Sequence, residues 1–425
     1  MKYYFSKYGT RLAMWFAGGA LILMLCRFAW LKGGTDNGLF YYAARAILSG
    51  HNPYDRQWVF QEWIRDGSPR TLDPHSFSGY INPPSLAVFY VPVLLFKLKF
   101  AYYAIVALNL IAALGLAIAL PKSSKSFTKT HVFLFAGLVL LLPAIFEIIQ
   151  YGQSSLISFA LLAGGLLSFS RSKQIMCGAL LGLSLSKFTL TLPFILYLAA
   201  CRQWKAFTVA VITFTVLNLF LILPAGVPQT LTSYKALLSV ESGENASYDP
   251  MTKVYRYRPD LIINAKRASV LIVGRDRLRV SVLNWILSGF IIGGLVYLRA
   301  SKKHVGEAFS HPLETPLLML AGLLLFYHRH YDLAGTLFVI FGLADYGLKH
   351  PERRSTLWKI AISISLLLVC PVFFQLNNPF SNIHPLVGLI ATHYYAPFEL
   401  CILFILIWTI RHQDGKGKET YFPLH

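Results

Sequence analysis

The fold class this chain predicts is an all-α protein threaded repeatedly through a membrane, and three observations predict it. Of its 425 residues 55% are hydrophobic and only 14% are charged, whereas soluble domains carry about a quarter charged residues. Mean hydropathy is +0.53. Apolar runs recur from Leu12 to the last one near Tyr395 to Ile410, and since about 20 apolar residues span the hydrocarbon, about a dozen crossings are expected. A formal net charge of +20 would point to nucleic acid in a soluble protein. Here the bases lie in short connectors between apolar runs, where they orient the chain and meet anionic lipid, so no nucleic-acid partner is expected.

The first run, Leu12 to Trp30, follows Lys2, Lys7 and Arg11 with no acid among them. It is long and lacks a small-x-small cleavage site, which makes it a retained anchor, and its flanking bases put the N-terminus in the cytoplasm. The segment 31–82 is then a first external loop, with five bases and five acids. Within it, Leu39, Tyr42, Ala43, Ala46 and Ile47 recur at three-and-four spacing, as in an amphipathic helix lying along the membrane surface.

Next comes YINPPSLAVFYVPVLLFKLK, interrupted by Pro83, Pro84 and Pro92, before a clean span from about Phe100 to Leu120. Counting both as crossings would put the basic connectors with Lys122, Lys125 and Lys129, and with Arg171 and Lys173, outside. If the Pro-rich piece dips in and returns, or lies on the outer surface, both fall inside. The same bookkeeping applies to Ile175 to Ala200, a long run with Lys187 at its middle. Two half-helices meeting at Lys187 place Arg202 and Lys205 inside and turn Lys187 toward the outer side. A span near Phe207 to Leu223, a second external loop at 224–276 and a span to about Leu298 follow. His328 to Asp332 then fall outside, Lys349, Arg353 and Arg354 inside, Gln375 to His393 outside, and the C-terminus inside. With no fixed-period repeat, residues 1–425 form a single integral membrane domain.

All five cysteines, Cys26, Cys177, Cys201, Cys370 and Cys401, lie within or at the ends of apolar segments without CxxC spacing. They are packing residues, not a disulfide frame or metal site.

In this threading the polar residues gather on the external side: Asp36, Arg45, His51, Tyr80, Asn82, Glu147, Gln150, Gln153, Lys187, His328, Arg329, His330 and Asp332. An ionisable group near hydrocarbon is expensive, so one that persists lines a cavity or pairs with another. Asp36 is either an N-cap for the following helix or a base held at the lipid boundary. Lys187 is some 12 residues from either end of its run, too far to snorkel, and a buried anion such as a lipid phosphate would offset its cost of about 2.5–3.5 kcal/mol. HRHYD at 328–332 suits hydrogen bonds to phosphate or sugar better than a metal, because no further ligands with metal spacing lie nearby. Glu147 and Gln153 are helix-end residues or sugar contacts. The aromatics Phe40, Tyr41, Tyr42, Tyr54, Trp58 and Trp63 fit an interfacial belt first and a sugar-stacking platform second.

Taken in order, D36NGLFYYAARAILSGHNPYD55, YINPPSLAVFYVP at 80–92, YGQSSLISFALLAGGLL at 151–167, G178ALLGLSLSK187FTLTLPF followed by R202QW, and the loop HRHYD resemble the polyprenyl-phosphate-sugar-dependent membrane glycosyltransferases of GT-C fold. Among them the chain is most similar to glycosyltransferase family 87, mostly mannosyltransferases. The resemblance implies transfer of a single sugar, mannose by family default, from a polyprenyl-phosphate donor to a lipid-linked or glycan acceptor, with inversion, on the extracytoplasmic side of a bacterial inner membrane. It implies Asp36 as the base, and Lys187 with His330 or His328 on the donor phosphate. Arg45, Tyr80, Asn82, Glu147, Gln153 and Asp332 are left as candidate substrate-binding residues, and no cofactor or metal is expected. Many relatives place Trp or Ser before the loop histidines where this chain has FYHRHYDL, so either histidine can be the matching one.

Two other classes compete. A transporter or lipid flippase would use Lys187, Glu147 and Asp332 as a midplane path, but commonly repeats internally and has no use for an acid-bearing first loop. A glycan ligase would share the cationic sites without needing Asp36.

Overall fold

The structure, a computed structural model, describes residues 2–28, 35–66, 79–242, 262–263, 265–273, 276–300, 308–309, 311–326 and 328–350, with 359, 363, 401–403 and 405–406. It is an all-helical, polytopic architecture; a two-residue ladder pairs β1 (Ile262–Ile263) antiparallel with β2 (His328–Arg329). Five described stretches are long and apolar enough to cross a membrane: Tyr8–Cys26, Leu98–Lys122, Gln174–Ala200, Trp204–Ile222 and Arg277–Val296. A bent pair, Lys129–Leu141 with Ala144–Tyr151, makes a sixth if counted as one span. Of the crossings expected after residue 350, including Tyr395 to Ile410, only positions 359, 363, 401–403 and 405–406 are described.

The first crossing is α1 (Lys2–Phe28), which packs along α6 (Lys129–Leu141), their ends joined by a 2.6 Å hydrogen bond between the Thr10 and Thr130 hydroxyls. After it come α2 (Thr35–Leu48) and α3 (Arg56–Arg65), the latter capped by the Asp55 carboxylate, which accepts from the Gln57 and Trp58 N–H groups. Helix α2 has the expected apolar face at Leu39, Tyr42, Ala43, Ala46 and Ile47, but its opposite face, Phe40, Tyr41 and Ala44, is buried as well. It is enclosed by protein where the spacing alone suggested a helix with one face open to the membrane surface. Gly38 permits this, because a Cβ there would sit 2.7 Å from the Trp63 ring of α3.

The Pro-rich piece does not cross. It forms α4 (Pro84–Ala87) and a 3₁₀ segment Val88–Leu95, too short for about 30 Å of hydrocarbon. Tyr41 Oη donates to the Phe96 carbonyl at 2.8 Å, and the Ser85 N–H donates to Asn218 Oδ1 at 2.9 Å, so both ends of the piece stay among the elements around α2. Helix α5 (Leu98–Lys122), long and apolar enough to cross, then runs parallel to α8 (Ser155–Ser170): Tyr102 bonds the Gln150 carbonyl just ahead of α8, and Gly115 lies beside Ala160 farther along. Between them, α6 and α7 (Pro143–Tyr151) meet at a 53° bend. Pro143 lacks the N–H that would continue α6 and instead begins α7.

The run Gln174–Ala200 is folded back on itself at Lys187. Helices α9 (Gln174–Ser184) and α10 (Phe188–Ala200) are joined by a 3₁₀ turn, Leu185–Lys187. A straight helix of 27 residues would hold its ends about 40 Å apart at 1.5 Å per residue. Yet Gln174 Nε2 donates to Gln203 Oε1 at 3.1 Å, just past the end of α10. Gly178 and Gly182 of α9 face Ala206 and Ala210 of α11 (Trp204–Ile222) in parallel register, and a Cβ on either glycine would lie 2.5 or 2.6 Å from their carbonyl oxygens. Two parallel helices linked only by α10 require α10 to return. This is the arrangement the charge pattern anticipated.

The chain continues through α12 (Val227–Ser242), α13 (Ala265–Val273), α14 (Arg277–Ala300), α15 (Glu314–Leu325), β2, a 3₁₀ turn His330–Gly335 and α16 (Thr336–Lys349). Helices α15 and α16 are antiparallel, with Gly342 against Pro316, and α10 packs on α15. The result has two ends of different character. Lys122, Lys125, Lys129, Arg171, Lys173, Arg202, Lys205 and Arg299 lie at one end, tied by the Gln174–Gln203 bond, by Arg299 Nε on the Ala200 carbonyl at 2.7 Å, and by Phe169 and Tyr197 on Phe309. The first turn of α2, the start of α8, the apex at Lys187 and the 330–335 turn meet at the other.

Candidate active site

That second end carries two groups of polar contacts. Asp36 lies in the first turn of α2, where the positive end of the helix dipole favours a carboxylate. Its Oδ2 accepts from Gln153 Nε2. Gln153 is delivered by Gly152, whose φ of +67° ends α7 in the left-handed conformation. Any Cβ there would stand 2.6 Å from the Asn37 Cβ, so only glycine lets α2 approach this closely. The Gly152 carbonyl accepts from Tyr90 Oη, and burial, followed by the Asp36 carboxylate, raises the Tyr90 phenol well above its ordinary value, so it remains a neutral donor.

Two residues on, Ser155 opens α8 and belongs to the second group. Lys187 Nζ donates to Ser155 Oγ and, at 2.7 Å, to Asp332 Oδ1; Ser155 Oγ donates to the same Asp332 oxygen at 2.9 Å. Lys187 is 9% exposed and Asp332 3%. The 3₁₀ break is what presents Lys187, since it ends α9 where the ammonium can reach the start of α8. Ser158 Oγ meets Ser186 Oγ at 3.3 Å, and Ser184 Oγ donates to the Ser158 carbonyl at 2.8 Å, fixing that apex. A buried ion pair gains from such added hydrogen bonds, and losing one partner costs about 3–5 kcal/mol.

The structure thus forms two polar groups, Asp36 with Gln153 and Lys187 with Ser155 and Asp332, at the same end of the molecule, Gln153 and Ser155 being two residues apart. Arg45 faces elsewhere: it pairs with Asp66 at 2.9 Å and Glu62 at 3.6 Å, and Asp66 also accepts from Tyr42 Oη. Burial, then Asp66, raises the Tyr42 phenol, which keeps that donor protonated. Tyr80 is buried, donates to the Pro83 carbonyl at 2.6 Å and stacks on Tyr54. The Asn82 carbonyl accepts from Tyr54 Oη at 3.0 Å. Glu147 is half-buried on α7. His328 lies in β2 opposite Ile263, and His330 opens the 3₁₀ turn that ends beyond Asp332; their side chains lie outside the described positions. Ser155 and Tyr90 are the two members that spacing did not single out. The doubled Ser154-Ser155 after a Gly-Gln pair was the available signal. Among the described residues no group of three or more His, Cys, Asp or Glu could hold a metal ion.

A membrane-embedded cluster of this kind suits several chemistries, and comparison with known protein families decides among the broad classes. Residues 80–305, just over half of the chain, match Glycosyltransferase family 87. The chain belongs to glycosyltransferase family 87. It is therefore a membrane glycosyltransferase, taking a sugar from a donor to an acceptor. The family match spans Tyr80, Asn82, Glu147, Gln153 and Lys187, and leaves Asp36, Arg45, His328, His330 and Asp332 to either side. No curated protein and no solved structure matches the chain.

Proposed function

We propose that this family 87 enzyme transfers a single sugar, mannose, from a polyprenyl-phosphate donor to a lipid-linked or glycan acceptor at the extracytoplasmic face of a bacterial inner membrane, inverting the anomeric centre. The observation that carries the proposal is that the partners of Asp36 and Lys187, Gln153 and Ser155, lie two residues apart, which puts both groups at the end opposite the basic connectors. Bases favour the cytoplasmic side, which supports an outward-facing cluster with both termini inside.

In this reading Asp36 accepts the proton of an acceptor hydroxyl as its oxygen attacks the anomeric carbon from the face opposite the phosphate. The bond from that carbon to the phosphate oxygen breaks, and the electron pair leaves with the polyprenyl phosphate. Lys187 stabilises the charge that grows on the departing group, helped by His328 or His330, and this interaction is strongest in the transition state. A phosphate is already a good leaving group, so one base suffices, whereas a glycosidase also needs an acid. Gln153 holds the Asp36 carboxylate in place, and Asp332 holds Lys187 while no donor is bound.

The test uses purified full-length protein, a panel of polyprenyl-phosphate sugars and membrane glycolipid acceptors. Asp36→Asn is expected to lower kcat by about 10²- to 10⁴-fold, the usual worth of a positioned base, with donor affinity retained. An unchanged rate would reject Asp36 as the base, and absence of transfer from every polyprenyl-phosphate sugar by the wild type would reject the donor class.

A further inference from the structure

Helix α8 begins at Ser155 with Ser154 at the N-cap position, and the Ser154 side chain makes no capping hydrogen bond. Serine there ordinarily accepts from an N–H two or three residues on. In this chain Ser154 Oγ instead lies fully buried with no hydrogen-bond partner among the described residues. The first-turn N–H groups of a helix have no intrahelical acceptor, and the helix dipole makes them an anion-binding end. A second feature points the same way: a carboxylate oxygen, Oδ1 of Asp332, is already seated at this helix start, held by Ser155 Oγ and Lys187 Nζ.

We propose that the start of α8, with the hydroxyls of Ser154 and Ser155, is an anion cradle that receives the phosphate of the lipid-linked donor beside Lys187. The proposal rests on the donor reading above and adds to it a set of directional donors. An ammonium is a point charge that attracts a phosphate without orienting it. Backbone N–H groups fixed in a helix, together with two hydroxyls, do orient it, and so would set the line along which the sugar–phosphate bond breaks. The unpartnered Ser154 hydroxyl is then a donor kept vacant for a phosphate oxygen. Asp332 occupies, before the donor arrives, a place that another of those oxygens takes.

The experiment measures binding of undecaprenyl monophosphate to the full chain in nanodiscs of neutral phospholipid, alongside Tm. Ser154→Asp sets a fixed carboxylate on the helix start, where it would cap first-turn N–H groups and repel phosphate. Affinity is expected to fall at least about tenfold while Tm holds or rises. A helix end that merely lacks a cap would gain Tm with Kd within about twofold of wild type, and that result overturns the cradle. Should Ser154→Asp fail to fold, Ser154→Ala decides: a loss of about three- to tenfold is expected for one missing hydrogen bond to an anion, and unchanged affinity overturns the proposal. Lys187→Met separates the two readings. If it abolishes binding while the Ser154 variants bind as wild type, the cradle alone fails. If the wild type does not bind the lipid phosphate, or Lys187→Met binds it equally well, the donor reading fails and the cradle with it.

Discussion

Lys187 and Asp332 lie 145 positions apart in the chain, yet each supplies the counter-charge the other needs away from water. Asp332→Leu should therefore be costly, by about 3–5 kcal/mol, because it strands a buried cation. Replacing both residues with apolar ones, Lys187→Met with Asp332→Leu, should recover most of that loss in a double-mutant cycle read by thermal unfolding in detergent. Strict additivity of the two single losses would contradict the ion pair. At this scale charge was the legible signal: a lone lysine deep in an apolar run and an acid just past the first span stand out against their surroundings. Ser155 and Tyr90 did not stand out, since serine before a helix and tyrosine near an interface are common for ordinary reasons. Nor did spacing show that Arg45 is engaged by Asp66 and Glu62, because those acids come from a separate helix whose docking no local periodicity encodes.

At the scale of elements, the fold-back depends on close approach between α9 and α11. Gly182→Val should destabilise the protein by about 1–3 kcal/mol, as overpacking does, since its Cβ would meet the Ala210 carbonyl at 2.6 Å. Gly289→Ala in α14 is the control: nothing lies within 4 Å of the added methyl group, and Tm should hold or rise slightly with the gain in helix propensity. Equal effects would show that propensity, not contact, governs both. The three prolines of the 80–92 piece and the break at Lys187 were readable, because each departs from what a continuous span requires. The enclosure of α2 was not readable. Its three-and-four spacing correctly marks one buried face, but tyrosine and alanine on the other face are neutral witnesses, compatible with lipid headgroups or with protein.

At the scale of the whole molecule, the threading makes a sharp prediction. In a background with the native cysteines replaced, Ser172→Cys and Gln203→Cys should react with a membrane-impermeant maleimide from the same side, and His51→Cys from the opposite side. A run 174–200 that crossed once would put positions 172 and 203 on different sides. The bias of Lys and Arg toward cytoplasmic connectors makes the inner side the expected location of positions 172 and 203. This much of the architecture could be worked out beforehand because membrane insertion leaves a simple record in hydropathy and charge. Which side chains finally touch inside the bundle is decided by packing between distant segments, and one-dimensional patterns say little about that.

The pairing across those 145 positions also carries a consequence for biogenesis. When the hairpin around residue 187 leaves the ribosome, its cation has no carboxylate to meet, because that carboxylate is encoded 145 positions further on. The hairpin must be stabilised at the insertion machinery by water, lipid headgroups or a chaperone until translation reaches residue 332. Closure of this end therefore waits for those 145 residues. A chain truncated before that point would retain all five described stretches long and apolar enough to cross a membrane and still present an unquenched lysine.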